Sequence, residues 1–293
     1  MNRILLTGGS GLLGKSLISK LIDSHYEVFC LTRSVKSSHS EGLNYIQIDL
    51  STNWHKDDLP SNISAIIHLA QSRHFREFPQ HSDDVFRVNI ESTFKLLNFA
   101  RETGIQRFLY ASSGGVYQPG SLLNENSTLL PLQSNLSFYA GSKMCSEILA
   151  QAYTNYFPIT TLRPFFIYGK EQQRTMLIPR LFDSVKNSTP IVLNGENGII
   201  INPIHVSDAS DALLCALSLE DSRTINIGGP EILSIREICD CFGNYLEMEP
   251  KYSLTENISS DLVGNISVMK ELLINPQRKL ADHLGDIEDQ NFS

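Results

Sequence analysis

The feature that most constrains this chain is a regular alternation of short apolar segments with longer amphipathic ones. A strand is predicted over residues 3–7, and the helix after it has Leu13, Leu17 and Leu21 spaced four residues apart. The alternation continues with strands predicted over residues 28–32, 45–48, 65–70, 108–112 and 159–163 and helices over residues 83–102 and 138–157. Strands separated by helices pair in parallel, so an α/β fold with a doubly wound parallel sheet is expected.

The regular alternation of predicted strands and helices ends at Pro164. The later sequence predicts a helix over residues 176–186, a strand over 199–201, a helix from an N-cap at Ser207 to Leu219 and a strand over 224–227. The length of 293 residues suits about two units of roughly 150 residues. We therefore expect either two units or one large α/β domain with a smaller lobe.

Composition and charge exclude several classes of protein. Apolar residues make up 41% of the chain and charged residues 19%, as in folded globular proteins. The net charge of −8 and the lack of a basic cluster argue against a nucleic-acid partner. No apolar run suggests a membrane helix or a signal peptide, so we expect a cytoplasmic protein with no membrane partner. The five cysteines are scattered without the spacing of a zinc site, so reduced thiols and no metal are expected.

Gly8, Gly11 and Gly14 form a G-x-x-G-x-x-G pattern between the first predicted strand and helix. Glycine at such a turn lets backbone N–H groups approach a pyrophosphate closely, and the helix N-terminus adds about half a positive charge. Alone, the glycines would equally suit a tight packing turn. Their place in the alternation predicts a dinucleotide site.

The end of the second predicted strand bears on the cofactor. A site for NAD would present a carboxylate to the ribose 2′-hydroxyl there, whereas this chain has Arg33. A guanidinium can bind a 2′-phosphate through two hydrogen bonds, so NADP(H) is favoured, with NAD(H) and a merely solvated arginine left open. Asp49, just after the third strand, is a candidate for the adenine amino group or an ordinary surface carboxylate.

Two further groups of residues carry acid–base chemistry. Tyr139 and Lys143 are four residues apart and so share one helix face. An ammonium beside a phenol stabilises the phenolate and lowers its pKa from about 10, which makes the phenol usable as an acid or base. Ser113 follows a predicted parallel strand, where α/β sheets place ligands, and Gly114 leaves space beside it.

Taken together, these motifs resemble the extended short-chain dehydrogenase/reductases, specifically the NAD(P)-dependent epimerase/dehydratase family that acts on nucleotide sugars. The resemblance spans nearly the whole chain and includes residues 68–70, 88–89, 112–117, 163–169, 202–206 and 226–229. It implies a Rossmann domain over residues 1–164, to which residues 199–228 return, and a smaller C-terminal substrate-binding lobe over residues 165–198 and 229–293. It also implies a nucleotide-sugar substrate. It also implies, for many members, a homodimer formed by the helices of residues 83–102 and 138–157.

The resemblance implies a role for each matching position. Ser113 would be the catalytic hydroxyl, Tyr139 would shuttle the proton, and Lys143 would bind the nicotinamide ribose and lower the tyrosine pKa. The expected cofactor contacts are Gly8, Gly11, Leu12, Leu13, Gly14, Arg33, Asp49, Leu50, Leu69, Ala70, Asn89, Tyr139, Lys143, Pro164 and Ile167. The expected substrate contacts are Gln71, Ser113, Gly114, Tyr139, Phe166, Arg180 and Asn202.

Two departures from the family pattern narrow the expected activity. Dehydratases of this group carry an Asp-Glu pair directly after the catalytic hydroxyl, where this chain has Gly114 and Gly115, so a 4,6-dehydratase is not expected. Many members place a diphosphate-binding arginine just before the Asn-Pro-Ile segment. This chain has only isoleucines at residues 199–201, so Arg180 or another cation would have to substitute.

We therefore expect an oxidoreductase acting at a sugar carbon, C4, of a nucleotide-activated sugar. Because Arg33 favours NADP(H), a 4-ketoreductase is favoured over a 4-epimerase. Two alternatives stay open. One is an NADPH-dependent reductase of a non-sugar carbonyl, and the other is a protein that senses the dinucleotide without turnover.

Overall fold

A computed structural model describes residues 2–34, 41–129, 137–257 and 260–288. In chain order the strands are β1 (Arg3–Thr7), β2 (Glu27–Thr32), β3 (Leu43–Gln47), β4 (Ala65–His68), β5 (Arg107–Ala111), β6 (Gly120–Leu123), β7 (Ile159–Pro164), β8 (Ile167–Tyr168), β9 (Ile191–Asn194), β10 (Ile200–Ile201), β11 (Ile204–His205), β12 (Arg223–Ile227), β13 (Leu233–Ser234), β14 (Tyr252–Thr255) and β15 (Leu262–Gly264). The helices are α1 (Leu12–Asp23), α2 (Ser82–Val85), α3 (Ser92–Thr103), α4 (Ser137–Ala152), α5 (Leu177–Lys186), α6 (Val206–Ala216), α7 (Ile235–Leu246) and α8 (Ser267–Leu272).

The first of two compact units is built on a seven-stranded sheet in the order β12-β7-β5-β4-β1-β2-β3. β1 pairs in parallel with β2 on one side and β4 on the other, with Ile4 opposite Val28 and Ala65. β2 with β3, β4 with β5, and β5 with β7 are parallel as well. The predicted Rossmann-type parallel sheet is confirmed, and its strand order reverses direction between β1 and β4, where such sheets bind ligands. This unit comprises Met1–Gln118, Thr128–Arg163 and Ser210–Ile225.

The centre of this sheet is apolar on both faces because helices cover it. Leu5, Ile66 and Phe108, on β1, β4 and β5, are fully buried in one core cluster. Leu96 and Leu97 of α3 belong to the same cluster. Strands buried in this way read as nearly continuous apolar runs, which is why the sequence predicted them within two residues of their observed bounds.

The single helix predicted over residues 83–102 is instead interrupted. Between α2 and α3 lies a π-helical segment, Phe86–Glu91. The hydroxyl of Ser92 donates to the carbonyl oxygen of Val88 at 2.5 Å, and that of Thr93 to the carbonyl oxygen of Asn89 at 2.6 Å. Hydroxyls that bond to the carbonyl one turn back compete with the helical N–H groups and distort the helix, which accounts for the interruption.

The second unit comprises Pro119–Ser127, Pro164–Ala209 and Asn226–Ser293. It contains a four-stranded sheet in the order β13-β10-β15-β6 and two parallel pairs, β8 with β11 and β9 with β14. α5 and α7 pack together through Phe182 and Phe242, whose ring centroids are 5.3 Å apart. α7 begins with a capping box in which Ser234 and Glu237 bond to each other's backbone N–H.

The units divide at different points from those we expected. Residues 199–209 belong to the second unit because Ile201 on β10 pairs with Leu233 and Leu262 there. The segment that returns to the first unit is therefore Ser210–Ile225. Ser207 is also not an N-cap, since α6 already begins at Val206. Among the described helices, none is long and apolar enough to span a membrane.

Candidate active site

The glycine turn after β1 is shaped by two close backbone approaches. Gly8 has φ +74°, and a Cβ on it would lie 2.7 Å from the carbonyl carbon of Leu69 and 2.8 Å from the nitrogen of Ala70. A Cβ on Gly14 would lie 2.3 Å from the carbonyl oxygen of Gly8. Only glycine therefore lets the first turn of α1 and the chain after β4 pack against this loop.

The same turn leaves the start of α1 open to an anion. Gly11 precedes the helix and has no side chain with which to cap it. The N–H groups of Leu12, Leu13 and Gly14 lie in the first turn, where no intrahelical carbonyl is available to them. Donors of this kind, together with the helix dipole, suit a diphosphate, so the residues fit the dinucleotide that the sequence predicts.

A chain of hydrogen bonds, the hydroxyl relay, connects Thr7 on β1 through His68 to Thr93 and Asn89. Thr93 donates its hydroxyl proton to the carbonyl of Asn89, so its oxygen accepts the proton of His68 Nε2, at 2.9 Å. His68 Nδ1 is then unprotonated and accepts from the hydroxyl of Thr7 at 2.6 Å. The oxygen of Thr7 in turn accepts the N–H of Ala70 at 3.1 Å. This hydroxyl relay fixes the backbone of two expected cofactor contacts, Ala70 and Asn89.

His68 must be neutral for this arrangement, and its surroundings keep it so. The ring is completely buried. Burial, with a smaller effect from the charge of Lys143, lowers the pKa of His68 to about 3.

Asn89 connects this relay to the helix that carries the tyrosine. Its side-chain oxygen accepts the N–H of Ser72 at 2.9 Å, and its side-chain nitrogen donates to the hydroxyl of Ser142 at 2.8 Å. Ser142 donates in turn to the carbonyl oxygen of Tyr139 at 2.7 Å. The hydroxyl of Ser146 donates to the backbone carbonyl of Asn89, also at 2.7 Å. α4 is thus held at its first two turns by a buried amide.

Tyr139 lies beside the segment that follows β4. Its hydroxyl donates to Oε1 of Gln71 at 3.0 Å, and its ring lies 5.0 Å from the ring of Phe75. Burial raises the pKa of Tyr139, and a hydrogen bond with Ser113 and the charge of Arg76 offset only part of this rise.

Lys143 does not have the effect on Tyr139 that we expected. Its ammonium donates to the carbonyl oxygen of Ala111 at 2.8 Å and lies 5.2 Å from the centre of the Tyr110 ring. Burial lowers the pKa of Lys143 to about 7, against a raising effect from Glu147. The pKa of Tyr139 is raised rather than lowered because desolvation outweighs the hydrogen bond with Ser113 and the charge of Arg76.

Ser113 stands at the end of β5, as predicted. Its oxygen accepts the N–H of Gly115 at 3.0 Å and thereby caps the short 3₁₀ turn Gly114–Val116. Through its hydrogen bond with Tyr139 it joins the tyrosine to the strand end. The structure therefore brings the three expected catalytic residues together on β5 and α4.

The expected contacts for the adenosine half of the cofactor lie at the ends of β2 and β3. Arg33 follows β2 and is exposed. Asp49 is half-buried, and its Oδ1 accepts both the N–H of Ser51, at 2.9 Å, and the Ser51 hydroxyl, at 2.7 Å. Leu50 beside it is buried.

The remaining expected contacts belong to the second unit. Pro164 is the last residue of β7, Ile167 begins β8, and Phe166 between them has φ +45°. Arg180 is exposed on α5. Asn202 is buried, and its amide exchanges two hydrogen bonds with the backbone of Gly264, at 2.9 and 3.0 Å. Both ends of this amide are thus committed within the fold.

Sequence reasoning missed a buried ion pair behind Lys143. Glu147, one turn further along α4, accepts two hydrogen bonds from Arg163, at 3.0 and 2.6 Å. Arg163 also donates to the hydroxyl of Tyr117 at 2.7 Å. The four-residue spacing from Tyr139 to Lys143 to Glu147 was the available signal.

A family model described as the NAD dependent epimerase/dehydratase family matches residues 4–228. The chain belongs to this family. As a family member, it is an NAD(P)-dependent epimerase/reductase-type enzyme of the extended short-chain dehydrogenase/reductase group. The resemblance seen in the sequence is thereby confirmed.

Several relatives cover this epimerase/dehydratase family chain almost completely. An uncharacterized UDP-glucose epimerase, YtcB, of Bacillus subtilis is 26% identical over 96% of this chain and 95% of its own length. The dTDP-4-dehydro-6-deoxyglucose reductase of Escherichia coli is 25% identical over 93% and 90%.

Solved structures show the same fold. The complex of MoeE5 with UDP-glucuronic acid and NAD is 25% identical, with a TM-score of 0.84 over 97% of each chain. The UDP-glucuronic acid 4-epimerase of Bacillus cereus, bound to UDP-glucuronic acid and NAD, is 23% identical, with a TM-score of 0.85 over 97% of each chain.

Proposed function

We propose that this enzyme transfers hydride between a nicotinamide cofactor and C4 of a nucleotide-activated sugar, and that it acts as a 4-ketoreductase. The observation that supports this proposal is the grouping of Ser113, Tyr139 and Lys143 at the ends of β5 and α4. The names of its relatives point to nucleotide sugars as well. The epimerases among them make a 4-epimerase the second candidate.

The chain's own residues divide the chemistry among them. When bound, the nicotinamide donates or accepts the hydride. The N–H groups at the start of α1 hold the diphosphate, and Lys143 fixes the neighbouring ribose. Tyr139 gives a proton to, or takes one from, the sugar oxygen. Ser113 donates a hydrogen bond to that oxygen and so stabilises the charge that develops on it.

For the cofactor, we propose a preference for NADP(H) over NAD(H). The exposed guanidinium of Arg33 at the end of β2 supports this choice, because it can pair with a 2′-phosphate without first breaking a buried contact. Asp49 remains a candidate for the adenine, since its second carboxylate oxygen is not used by Ser51.

For the substrate, we propose contacts at the positions that the sequence predicted. They are Gln71, Ser113, Gly114, Tyr139, Phe166 and Arg180. Arg180 is the cation proposed for the diphosphate of the nucleotide, in place of the missing arginine. We leave Asn202 out, because Gly264 occupies both ends of its amide.

The deciding experiment incubates the full chain with NADPH or NADH and a panel of 4-keto nucleotide sugars, and follows the absorbance of the reduced nicotinamide. Consumption of the cofactor supports the ketoreductase. Interconversion of UDP-glucose and UDP-galactose without net cofactor consumption would identify the epimerase instead.

The same assay separates the two remaining alternatives. Turnover only on hydrophobic ketones would identify a reductase of non-sugar carbonyls. Tight dinucleotide binding with no turnover on any substrate would indicate a sensing protein. A cytoplasmic location stays a prediction.

We also propose a homodimer formed by α3 and α4. Phe94 on α3 is 46% exposed and Ile148 on α4 is 69% exposed, and Phe86 before α3 is 51% exposed. Large apolar side chains exposed on neighbouring helices are typical of an interface between copies of a chain.

A further inference from the structure

Residues 74–81, between β4 and α2, bring two imidazoles to one carboxylate. Oε2 of Glu77 lies 2.9 Å from Nδ1 of His74 and 3.2 Å from Nε2 of His81. The two rings are stacked, with centroids 4.0 Å apart and planes 16° apart. All three ligand atoms lie within 4.8 Å of one another.

The backbone accounts for this convergence. The N–H of Glu77 donates to the carbonyl of His74, and that of His81 to the carbonyl of Glu77, both at 2.9 Å. Two successive turns of three and four residues therefore place the three side chains together. The phenyl rings between them are used elsewhere, since Phe75 packs on Tyr139 and Phe78 on Phe138.

The donor set is that of a late first-row transition metal. Two imidazole nitrogens and one carboxylate oxygen are a known zinc ligand set that leaves a fourth position for water. Magnesium and calcium prefer oxygen ligands throughout. In a tetrahedral site with bonds of about 2.0–2.2 Å, ligand atoms are separated by roughly 3.3 Å, close to the two distances from Glu77. The three side chains are between 40% and 51% exposed, so a dissolved ion can reach them.

A second histidine cluster in the chain does not offer its nitrogens in the same way. Nε2 of His205 and Nδ1 of His283 lie 3.2 and 3.3 Å from Oδ2 of Asp286. Nδ1 of His205 already accepts the N–H of Ser207 at 3.2 Å, so Nε2 of this neutral ring carries the proton. A metal at Nε2 would require the proton to move to Nδ1 and would break the bond to Ser207.

We propose that His74, Glu77 and His81 form a binding site for a divalent metal ion of the zinc class. Each neutral imidazole binds the ion through the nitrogen that faces Glu77 and carries its proton on the other ring nitrogen, and water completes the coordination.

The test titrates Zn²⁺ into the full chain, without a histidine tag, by calorimetry, and uses Co²⁺ absorbance to report the geometry. We expect one ion per chain and tetrahedral Co²⁺ bands. His74→Asn, His81→Asn and Glu77→Gln should each weaken binding at least about tenfold. These positions are partly exposed, so the variants should fold, and circular dichroism checks that they do.

Two matched variants control for ordinary surface histidines and for the second cluster. His55 lies 2.9 Å from the carboxylate of Asp57 in an exposed pair, and His55→Asn should leave Zn²⁺ binding unchanged, as should His283→Asn. The proposal is overturned if the chain binds no Zn²⁺, if the three site variants bind as tightly as the parent, or if only His283→Asn abolishes binding.

Discussion

Tyr139 and Lys143 stand one helical turn apart on α4, and burial acts on both in the sense that disfavours charge. It raises the pKa of the phenol and lowers that of the amine to about 7. A protein that has not bound its cofactor therefore holds a neutral tyrosine and an amine that is about half protonated at pH 7.

The proton-shuttle role of Tyr139 can be tested by removing a single oxygen. In Tyr139→Phe we expect turnover to fall by about 10²- to 10⁴-fold, because the general acid or base is lost. Dinucleotide affinity, measured by fluorescence titration, should stay close to that of the parent. Tyr156→Phe, at a tyrosine that is 66% exposed, is the control and should be fully active. Equal activity in Tyr139→Phe would refute the assignment.

Lys143 should take up a proton when the dinucleotide binds. The diphosphate and ribose favour the ammonium, so its pKa rises from about 7 and the amine becomes fully protonated. Uptake at pH 7 should approach about half a proton and should shrink as the pH falls below 7, where the free protein is already protonated. Calorimetry in two buffers of different ionisation enthalpy measures it. Binding heats that do not depend on the buffer would contradict this expectation.

The cofactor preference is a question about Arg33 alone. Arg33→Ala should weaken NADP binding by about 10-fold or more and leave NAD binding nearly unchanged, because only NADP has the 2′-phosphate. Arg101→Ala, at a partly exposed arginine on α3, is the control and should affect neither. An equal loss of affinity for both cofactors would show that Arg33 does not read the phosphate.

At this scale, the sequence indicates candidate acid–base residues but not the residues that hold them in place. Tyrosine and lysine four apart on a helix indicate acid–base chemistry in the sequence itself. Thr7, Thr93 and Ser142 gave no such signal, since a hydroxyl identifies its partner only after β1, β4 and α4 have come together.

Among the elements, the glycine turn packs directly against the first turn of α1 and the chain after β4. The turn needs glycine for two separate reasons, a left-handed φ at Gly8 and a backbone approach that leaves no space for a Cβ. Gly104, at the end of α3, has a similar φ of +68° but nothing within 4 Å of a Cβ.

Alanine substitutions at Gly104 and Gly8 separate the cost of a left-handed backbone conformation from the cost of a steric clash with the added Cβ. Gly104→Ala should cost about 1 kcal/mol of unfolding free energy, the price of a left-handed alanine. Gly8→Ala should cost about 1–3 kcal/mol more, since its Cβ would meet the backbone of Leu69 and Ala70, and it should also weaken dinucleotide binding. Urea unfolding of both variants measures the difference. Equal losses of stability would mean that the loop relaxes around the added methyl group.

The π-helical segment between α2 and α3 is a feature that the spacing of apolar residues does not predict. Its apolar spacing is compatible with one uninterrupted helix, which is what we predicted over residues 83–102. The interruption depends on hydrogen bonds from Ser92 and Thr93 to the preceding turn and on the burial of Asn89, and these features appear only in the folded chain.

For the molecule as a whole, the proposed dimer gives the clearest test. Phe94→Glu and Ile148→Glu should each convert a dimer into a monomer, because a charge placed in an apolar interface is left unpaired. Light scattering after size-exclusion chromatography measures the mass. Val192→Glu, at a position of the second unit that is 65% exposed, is the control. A parent chain that is monomeric in the same measurement would refute the proposed dimer.

The parallel sheet was predictable because its central strands β1, β4 and β5 are largely buried apolar runs bounded by turns. The bounds of the two units were harder to predict from the sequence. They depend on which strands the very short β10 joins, and a two-residue strand has no periodicity of its own to indicate its partners.

The edge strand β12 comes from a late part of the chain, far from its neighbour β7 in sequence. A fragment ending at residue 163 would lack β12 and leave β7, which is buried from Ile159 to Arg163, as an open border. The unpaired N–H and C=O groups of an exposed edge strand can pair with a strand of another molecule. A nascent chain in which β7 has already joined the sheet keeps this edge unpaired until residue 227 has emerged from the ribosome, and in that interval the edge is open to strands of other chains.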